Sequence, residues 1–158
     1  MSTPPDRIAV LAGVLATVVV VGAILWFLVP ARRIVLRGSW AALRDQLDML
    51  LHGRPRPRFL VVELVPGERY VRLVRERAGL VLEFPVATLP HQRRERRLRA
   101  LCAARGMQLR EQHGRRGART VRVTMPETLD ELAESTGALL ADVLDAAPET
   151  EFRMTLQV

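Results

Sequence analysis

The sequence predicts an α+β protein in which a single N-terminal transmembrane helix precedes a small domain of about five or six mostly antiparallel strands and two or three helices. Three observations predict this fold class. Residues 8–29 carry no charged side chain. Several segments between residues 59 and 158 alternate apolar with polar side chains, as strands with one buried face do. Residues 129–144 repeat apolar side chains every three or four positions, as an amphipathic helix does.

The apolar stretch from Ile8 to Val29 is 22 residues long. As a helix it would measure roughly 33 Å, enough to cross a hydrocarbon core of about 30 Å. A cleaved signal peptide would have a shorter apolar region, of about 7 to 15 residues, and would end at a site of small residues, which this stretch lacks. We therefore expect residues 8–29 to be an uncleaved membrane span that follows a short external tail, residues 1–7.

Arginine is more frequent after the predicted span than before it, where only Arg7 stands. By the positive-inside rule, this bias places the downstream part in the cytoplasm and the N-terminus outside. The predicted localisation is a bacterial inner membrane, crossed once. Arginine and tryptophan are favoured close to the headgroups, and the residues expected at the membrane interface are Trp26, Arg32, Arg33, Arg37 and Trp40. The alternative for either tryptophan is an ordinary apolar contact.

Residues 30–57 are predicted to hold a juxtamembrane amphipathic helix and a linker. Apolar residues at helical spacing follow Ser39, which is a favourable helix cap. This helix either lies on the bilayer or packs on the domain, and the acidic Asp45 and Asp48 favour packing. Arginine then alternates with proline in residues 54–58, which predicts a stiff and extended linker.

The cytoplasmic domain is predicted to extend from residue 58 to residue 158. Its strands are expected at residues 59–65, 70–74, 80–84, 107–111, 120–124 and 152–158. The last of these is either a strand or a frayed tail. One helix is expected between Thr88 and Gly106, and another begins at a capping box formed by Thr128 and Glu131 and continues to Leu144.

The composition excludes some chemistry. All 24 basic residues are arginine, so a Schiff-base lysine and the lysine of a phosphate-binding loop are both ruled out. Cys102 is the single cysteine, which permits no intramolecular disulfide and agrees with a reducing compartment. From residue 31 to residue 122 there are 22 arginines against 8 acidic residues, whereas residues 123–158 hold one arginine against 8.

No catalytic, cofactor-binding or metal-binding residue is predicted, and no cofactor is expected. His52, His91 and His113 have no metal-ligand spacing with one another or with Cys102. Neither Ser39 nor Ser135 lies in the pattern of a nucleophile elbow. An enzyme of unknown class is kept only as an alternative interpretation.

The strongest polar signal is a group of arginines that could bind phosphates or an acidic partner. These arginines are Arg93, Arg94, Arg96, Arg97 and Arg99 in the predicted helix, and Arg115, Arg116 and Arg119 in the loop that follows. The opposing interpretation is an ordinary solvated surface. Nucleic acid is the less favoured anion, because aromatic residues make up only 4% of the chain and none lies among these arginines to stack on bases.

The order of elements resembles the type III secretion chaperone-like fold, which includes domains related to the Tir chaperone. The resemblance covers residues 69–147: the segments Tyr70-Val71-Arg72-Leu73, Gly79-Leu80-Val81-Leu82 and Arg97-Leu98-Arg99-Ala100-Leu101, and the helix from Leu129 to Leu144. It implies that a sheet and helix surface binds peptides or proteins, frequently in a homodimer and without catalysis. No functional residue carries over, because no site motif marks that fold.

These observations together predict a membrane-anchored cytoplasmic adaptor, a chaperone-like domain that binds an unidentified protein partner without catalysis. Membrane lipid would be its other partner. The alternative is binding of anionic lipid or nucleic acid through the arginine-rich helix.

Overall fold

The structure is a computed structural model that describes residues 33–65, 69–114 and 119–158. These parts of the chain form seven strands and three helices. The strands are β1 (Arg33–Gly38), β2 (Phe59–Leu64), β3 (Tyr70–Glu76), β4 (Gly79–Val86), β5 (Leu109–His113), β6 (Arg119–Met125) and β7 (Phe152–Gln157). The helices are α1 (Trp40–His52), α2 (Leu89–Arg105) and α3 (Leu129–Leu144).

All seven strands form one antiparallel sheet in the order β1-β7-β2-β3-β4-β6-β5. The first and last strands pair with each other, with Arg33 opposite Gln157 and Gly38 opposite Phe152. On its other side β7 pairs with β2. The last segment is therefore a strand inside the sheet, which excludes the alternative of a frayed tail.

The core lies between the three helices and one face of the sheet. Alternate residues of β2, β4 and β7 are buried, as their apolar-polar alternation predicts. The largest fully buried side chains are Leu47, Leu50, Leu60, Leu64, Leu73, Leu82, Phe84, Leu98, Leu132, Leu139, Leu140 and Phe152. Each contributes roughly 1.5–3 kcal/mol by leaving water, so this layer of leucines is the main source of stability.

A tight connection between β3 and β4 requires glycine. Gly79, the first residue of β4, has a φ of +126°, a backbone conformation that side chains with a Cβ rarely adopt. A Cβ at this position would also lie 2.8 Å from the Glu127 Oε1 atom. The positive φ is the reason that glycine suits this position, because the nearby Glu127 carboxylate is the end of a flexible side chain that can move aside.

The start of α3 differs in detail from the predicted capping box. The Thr128 hydroxyl donates a hydrogen bond of 2.8 Å to the Glu131 carboxylate, and it makes no bond to the backbone at the helix start. The helix itself is confirmed, because its apolar stripe is buried whatever the bonding at its first turn.

The compact unit that the structure describes begins at Arg33. Strand β1, which the sequence analysis did not predict, belongs to it through pairing with β7. Helix α1 packs on the domain by burying Leu43, Leu47 and Leu50, so of the two alternatives for this helix, packing on the domain is confirmed. The short run of β-branched and leucine residues in β1 lies between Arg33 and Arg37, two residues that the sequence analysis assigns to the membrane interface.

The membrane predictions need correction. No helix in residues 33–65, 69–114 and 119–158 is long and apolar enough to cross a membrane. The longest of them, α2, has 17 residues and is strongly basic. The transmembrane helix in the predicted fold class is thus wrong for this part of the chain, and the fold is α+β with seven antiparallel strands and three helices. The predicted single-pass inner-membrane localisation depended on that helix and is wrong with it.

The segment on which that prediction was made, residues 8–29, lies outside the described residues, as do the tail of residues 1–7, Trp26 and Arg32. The hydropathy of a segment measures only its affinity for an apolar environment. It therefore does not by itself establish a membrane span.

Candidate binding surfaces

Two arginines and two glutamates form a closed ring of ion pairs where α2 meets β5 and β6. The Glu95 carboxylate, in a residue that is only 5% exposed, accepts hydrogen bonds of 3.0 and 2.7 Å from Arg99. Its other oxygen accepts a hydrogen bond from Arg119. Glu111 closes the ring, because it contacts both Arg99 and Arg119. We call these four residues the Glu95 cluster.

Hydrogen bonds within the Glu95 cluster favour the charged forms of Arg99 and Glu111. The hydrogen bonds that Arg99 donates to Glu95 are the main cause that raises the pKa of Arg99 above its ordinary value. The hydrogen bond from Arg99 in turn lowers the pKa of Glu111. Because the charges balance and the partners belong to α2, β5 and β6, the cluster fastens the helix to the edge of the sheet.

Further ion pairs join α2 to α3. Arg97 lies 2.5 Å from the Asp145 carboxylate, and Arg105 lies 3.1 Å from Glu134. Asp145 ends α3 with a φ of 57°. The arginine-rich helix is therefore held on two sides, by the Glu95 cluster and by α3.

The eight predicted anion-binding arginines fall into three groups. Arg97, Arg99 and Arg119 have carboxylate partners within the domain. Arg115 and Arg116 lie outside the described residues. The remaining three have neither a hydrogen bond nor an ion pair with any residue that the structure describes, and they are Arg93, Arg94 and Arg96.

A groove of about 470 Å³ lies at the N-terminal end of α2. We call it the α2 groove. It is lined by Leu89, Pro90, Arg93, Arg94, Arg97 and Asp145. It thus combines two of the unpartnered arginines with an apolar side chain, Leu89, that is 74% exposed.

A larger cleft of about 730 Å³ opens at the end of β3 and α1, and two of its charged groups, Arg75 and Glu76, are already engaged in contacts within the domain. Arg75 donates hydrogen bonds to the carbonyls of Leu50 and Leu51 and so binds the C-terminal turn of α1. Glu76 bonds Arg122, and this pair fastens β3 to β6. The cleft therefore offers structural contacts rather than an assembled reactive centre.

The face of the sheet opposite the helices carries a ladder of opposite charges across the strands. Glu63 accepts a 2.8 Å hydrogen bond from Arg153 on β7. Arg72 lies 3.3 Å from Glu83 on β4, and its guanidinium also lies 4.9 Å from the centre of the Phe59 ring. Such cross-strand pairs stabilise neighbouring strands and neutralise one another. Across β7, β2, β3, β4 and β6, this face therefore presents little unbalanced charge to a partner.

Strand β1 forms one edge of the sheet and exposes apolar side chains there. Val35 is 58% exposed and Leu36 is 40% exposed. Arg33 and Arg37 lie at its two ends, and no described strand pairs with its outer side. Sequence reasoning missed this surface, although the run Ile34-Val35-Leu36 was a signal for it.

The predicted interface residues that the structure describes take part in the domain. The Trp40 indole donates a hydrogen bond of 3.2 Å to the Ala147 carbonyl, and its ring meets Phe152 edge to face at 4.8 Å. Arg33 and Arg37 are exposed residues of β1. The tryptophan therefore anchors α1 to β7 and the segment that follows α3.

The histidines and the cysteine are dispersed. His52 contacts Asp48 at 2.8 Å, His91 lies edge to face with Phe84, and His113 ends β5. Cys102 is buried, and desolvation raises the pKa of its thiol, which disfavours the reactive thiolate. Within the three described ranges, no group of three histidine, cysteine or acidic residues could hold a metal ion.

Comparisons with protein families, with curated proteins and with solved structures give no match to this chain. The resemblance to the type III secretion chaperone-like fold therefore stays a prediction.

Proposed function

We propose that this protein is a non-catalytic binding domain and that its partner supplies an extended segment which pairs with β1. The observation that carries the proposal is the outer edge of β1, which pairs with no strand among the described residues and exposes Val35 and Leu36 between two arginines. The backbone groups on an open strand edge are a ready template for one more strand. An added strand would extend the sheet beyond β1 without any rearrangement of the core.

The side chains of β1 indicate the chemistry of the partner. The register with β7 places Ile34 opposite Leu156 and Leu36 opposite Met154, so these two side chains lie on the helix side of the sheet. Arg33, Val35 and Arg37 lie on the opposite side. A complementary strand would have an apolar residue opposite Val35 and acidic residues opposite the two arginines.

Charge argues against a second copy of this chain as the occupant. In an antiparallel pairing of two β1 strands centred on Val35, Arg33 of each copy would lie opposite Arg37 of the other. Like charges directly across a strand pair are destabilising. An acidic segment of a different protein therefore fits this edge better, and homodimer formation is an outcome that the test must distinguish.

The test uses the full chain and two synthetic peptides, Asp-Leu-Val-Leu-Asp and Arg-Leu-Val-Leu-Arg. We expect the acidic peptide to shift the backbone amide resonances of β1 and the basic peptide to shift none of them. Binding should weaken with added salt, because the charges involved are exposed. Equal binding of both peptides, or shifts confined to another surface, would contradict the proposal.

A matched pair of variants distinguishes peptide binding at β1 from binding at β5, the other edge of the sheet. Val35→Glu places an acid on β1, and Gln112→Glu places one at an exposed position of β5. We expect only the first variant to lose binding of the acidic peptide. Analytical ultracentrifugation of the unmodified chain then tests whether a second copy occupies this edge. A dimer that the Val35→Glu substitution dissociates would identify a second copy as the occupant and would overturn the proposal that the partner is a different protein.

A further inference from the structure

The α2 groove gathers positive charge that the fold does not neutralise. Arg93, Arg94 and Arg97 are spaced so that they lie on neighbouring faces of α2. Asp145 is the single acidic residue of the groove and is engaged by Arg97 at 2.5 Å. Arg93 and Arg94 have no partner among the described residues. Three guanidinium groups therefore face one carboxylate.

The groove also has an apolar side. Leu89 is 74% exposed, which makes it the most exposed large apolar side chain among the residues that the structure describes. Pro90 lies next to it in the groove. Arg94 is half-buried, so its charge is less screened by water than that of a fully solvated arginine. A ligand that fits both sides would carry an anionic group and an apolar group close together.

We propose that the α2 groove is a binding site for an amphiphilic oxyanion, a phosphate or carboxylate attached to an apolar chain or ring. The oxyanion would accept hydrogen bonds from Arg93 and Arg94, since the planar fork of a guanidinium group matches two oxygens of a carboxylate or a phosphate. The apolar part would cover Leu89. This site is on a different surface from β1 and does not depend on the function proposed for that strand.

The first experiment titrates phenyl phosphate into the full chain by calorimetry. Arg93→Gln and Arg94→Gln should each weaken binding by roughly tenfold, because each removes one charge-assisted contact. Arg96→Gln is the matched control, since Arg96 is also an unpartnered arginine of α2 but does not line the groove. Equal losses in all three variants would show general attraction to a basic helix and would overturn the proposed site.

A second variant is expected to strengthen binding. Asp145→Asn removes the acidic residue of the groove and releases Arg97, so phenyl phosphate should bind several-fold more tightly. Asparagine tolerates the positive φ of this position well, which preserves the end of α3. Unchanged or weaker binding by a folded Asp145→Asn protein would contradict the proposal.

The remaining experiments test where the apolar part of the ligand binds and whether the ligand is a lipid or a soluble molecule. Leu89→Ala should weaken the binding of phenyl phosphate and leave that of inorganic phosphate unchanged. Phosphatidylcholine vesicles with and without phosphatidic acid test a lipid headgroup as the source. Binding to phenyl phosphate alone would indicate a soluble ligand, and binding to the acidic vesicles that Arg94→Gln abolishes would indicate a lipid. Binding to neither probe would overturn the proposal.

Discussion

The two edges of the sheet, β1 and β5, are built from opposite kinds of residue. On β5, Arg110, Glu111, Gln112 and His113 are all exposed and polar. On β1, the middle of the strand is apolar and exposed. Charged side chains on an edge strand oppose pairing with another strand. The difference indicates that β5 is protected against further pairing, whereas β1 is suited to it.

The elements behind the two edges are also held by different forces. At β5 the Glu95 cluster fastens α2 through ion pairs. At β1 the ring of Trp40 packs on Phe152 and fastens α1 through apolar contact and one hydrogen bond. Contacts of these two kinds differ in their response to truncation, to pH and to salt. Measuring how stability responds to each of these changes therefore tests whether ion pairs hold the β5 edge and apolar packing holds the β1 edge.

The largest effect is expected at the β1 edge. Trp40→Ala should lower the free energy of unfolding by about 3 kcal/mol, because it removes a large aromatic contact and leaves a cavity beside Phe152. Urea denaturation followed by circular dichroism measures the loss. Trp40→Phe is the control, since it keeps an aromatic ring and should lose only about 1 kcal/mol with the hydrogen bond to Ala147. An alanine variant as stable as the phenylalanine variant would refute packing as the force here.

The next effect is expected at the β5 edge. Glu95→Gln removes the buried one of the two carboxylates that Arg99 and Arg119 share and should lower the free energy of unfolding by about 2 kcal/mol. Glu134→Gln is the matched control, because it breaks an exposed pair with Arg105 and should cost less than about 0.5 kcal/mol. Equal losses of unfolding free energy in the two glutamine variants would show that the burial of Glu95 adds nothing to the stability that its ion pairs provide.

The strands that sequence reasoning found are those whose side chains alternate clearly. Between residues 59 and 84 the alternation follows the burial of β2, β3 and β4 closely, since one face of each strand packs on the helices. Strand β1 lacks this signal because its Val35 and Leu36 point to opposite sides of the sheet and are both exposed. Its position depends on β7, at the other end of the chain, and no local pattern contains that pairing.

The candidate sites were predicted only in part. The sequence shows that the helix around Arg93 is rich in arginine, but it does not show which arginines are free. Arg97 is paired with Asp145, 48 positions away, and Arg119 with Glu95, 24 positions away. Such pairs arise when the helices and strands pack together, so the division between structural and unpartnered arginines needs the tertiary structure.

The pH dependence of stability should also differ between the edges. The hydrogen bond from Arg99 lowers the pKa of Glu111 below its ordinary value of 4.5. Folding therefore favours the charged carboxylate, so its stabilising effect is fully present above pH 4.5 and is lost as the pH falls through the lowered pKa. Thermal unfolding across this acidic range should show a smaller pH dependence in Glu111→Gln than in the unmodified chain.

The β1 edge supplies the control for that experiment. Trp40→Phe alters no charged group, so it should lower stability by the same amount at every pH at which the chain folds. A pH profile that Glu111→Gln leaves unchanged would mean that this carboxylate contributes nothing to the acid sensitivity of the β5 edge.

The smallest effect on stability is expected for Val35→Glu. Because Val35 is 58% exposed on an edge strand, the substitution should change the free energy of unfolding by less than about 0.5 kcal/mol. Urea denaturation measures this change, and Leu60→Ala in the fully buried core is the contrasting variant, with an expected loss of about 3 kcal/mol. A folded Val35→Glu protein that retains its stability but loses the acidic peptide would show that the apolar surface of β1 serves contact with a partner. A large loss of stability would instead show that Val35 is needed for the fold, and the difference between the two edges would then have a structural origin.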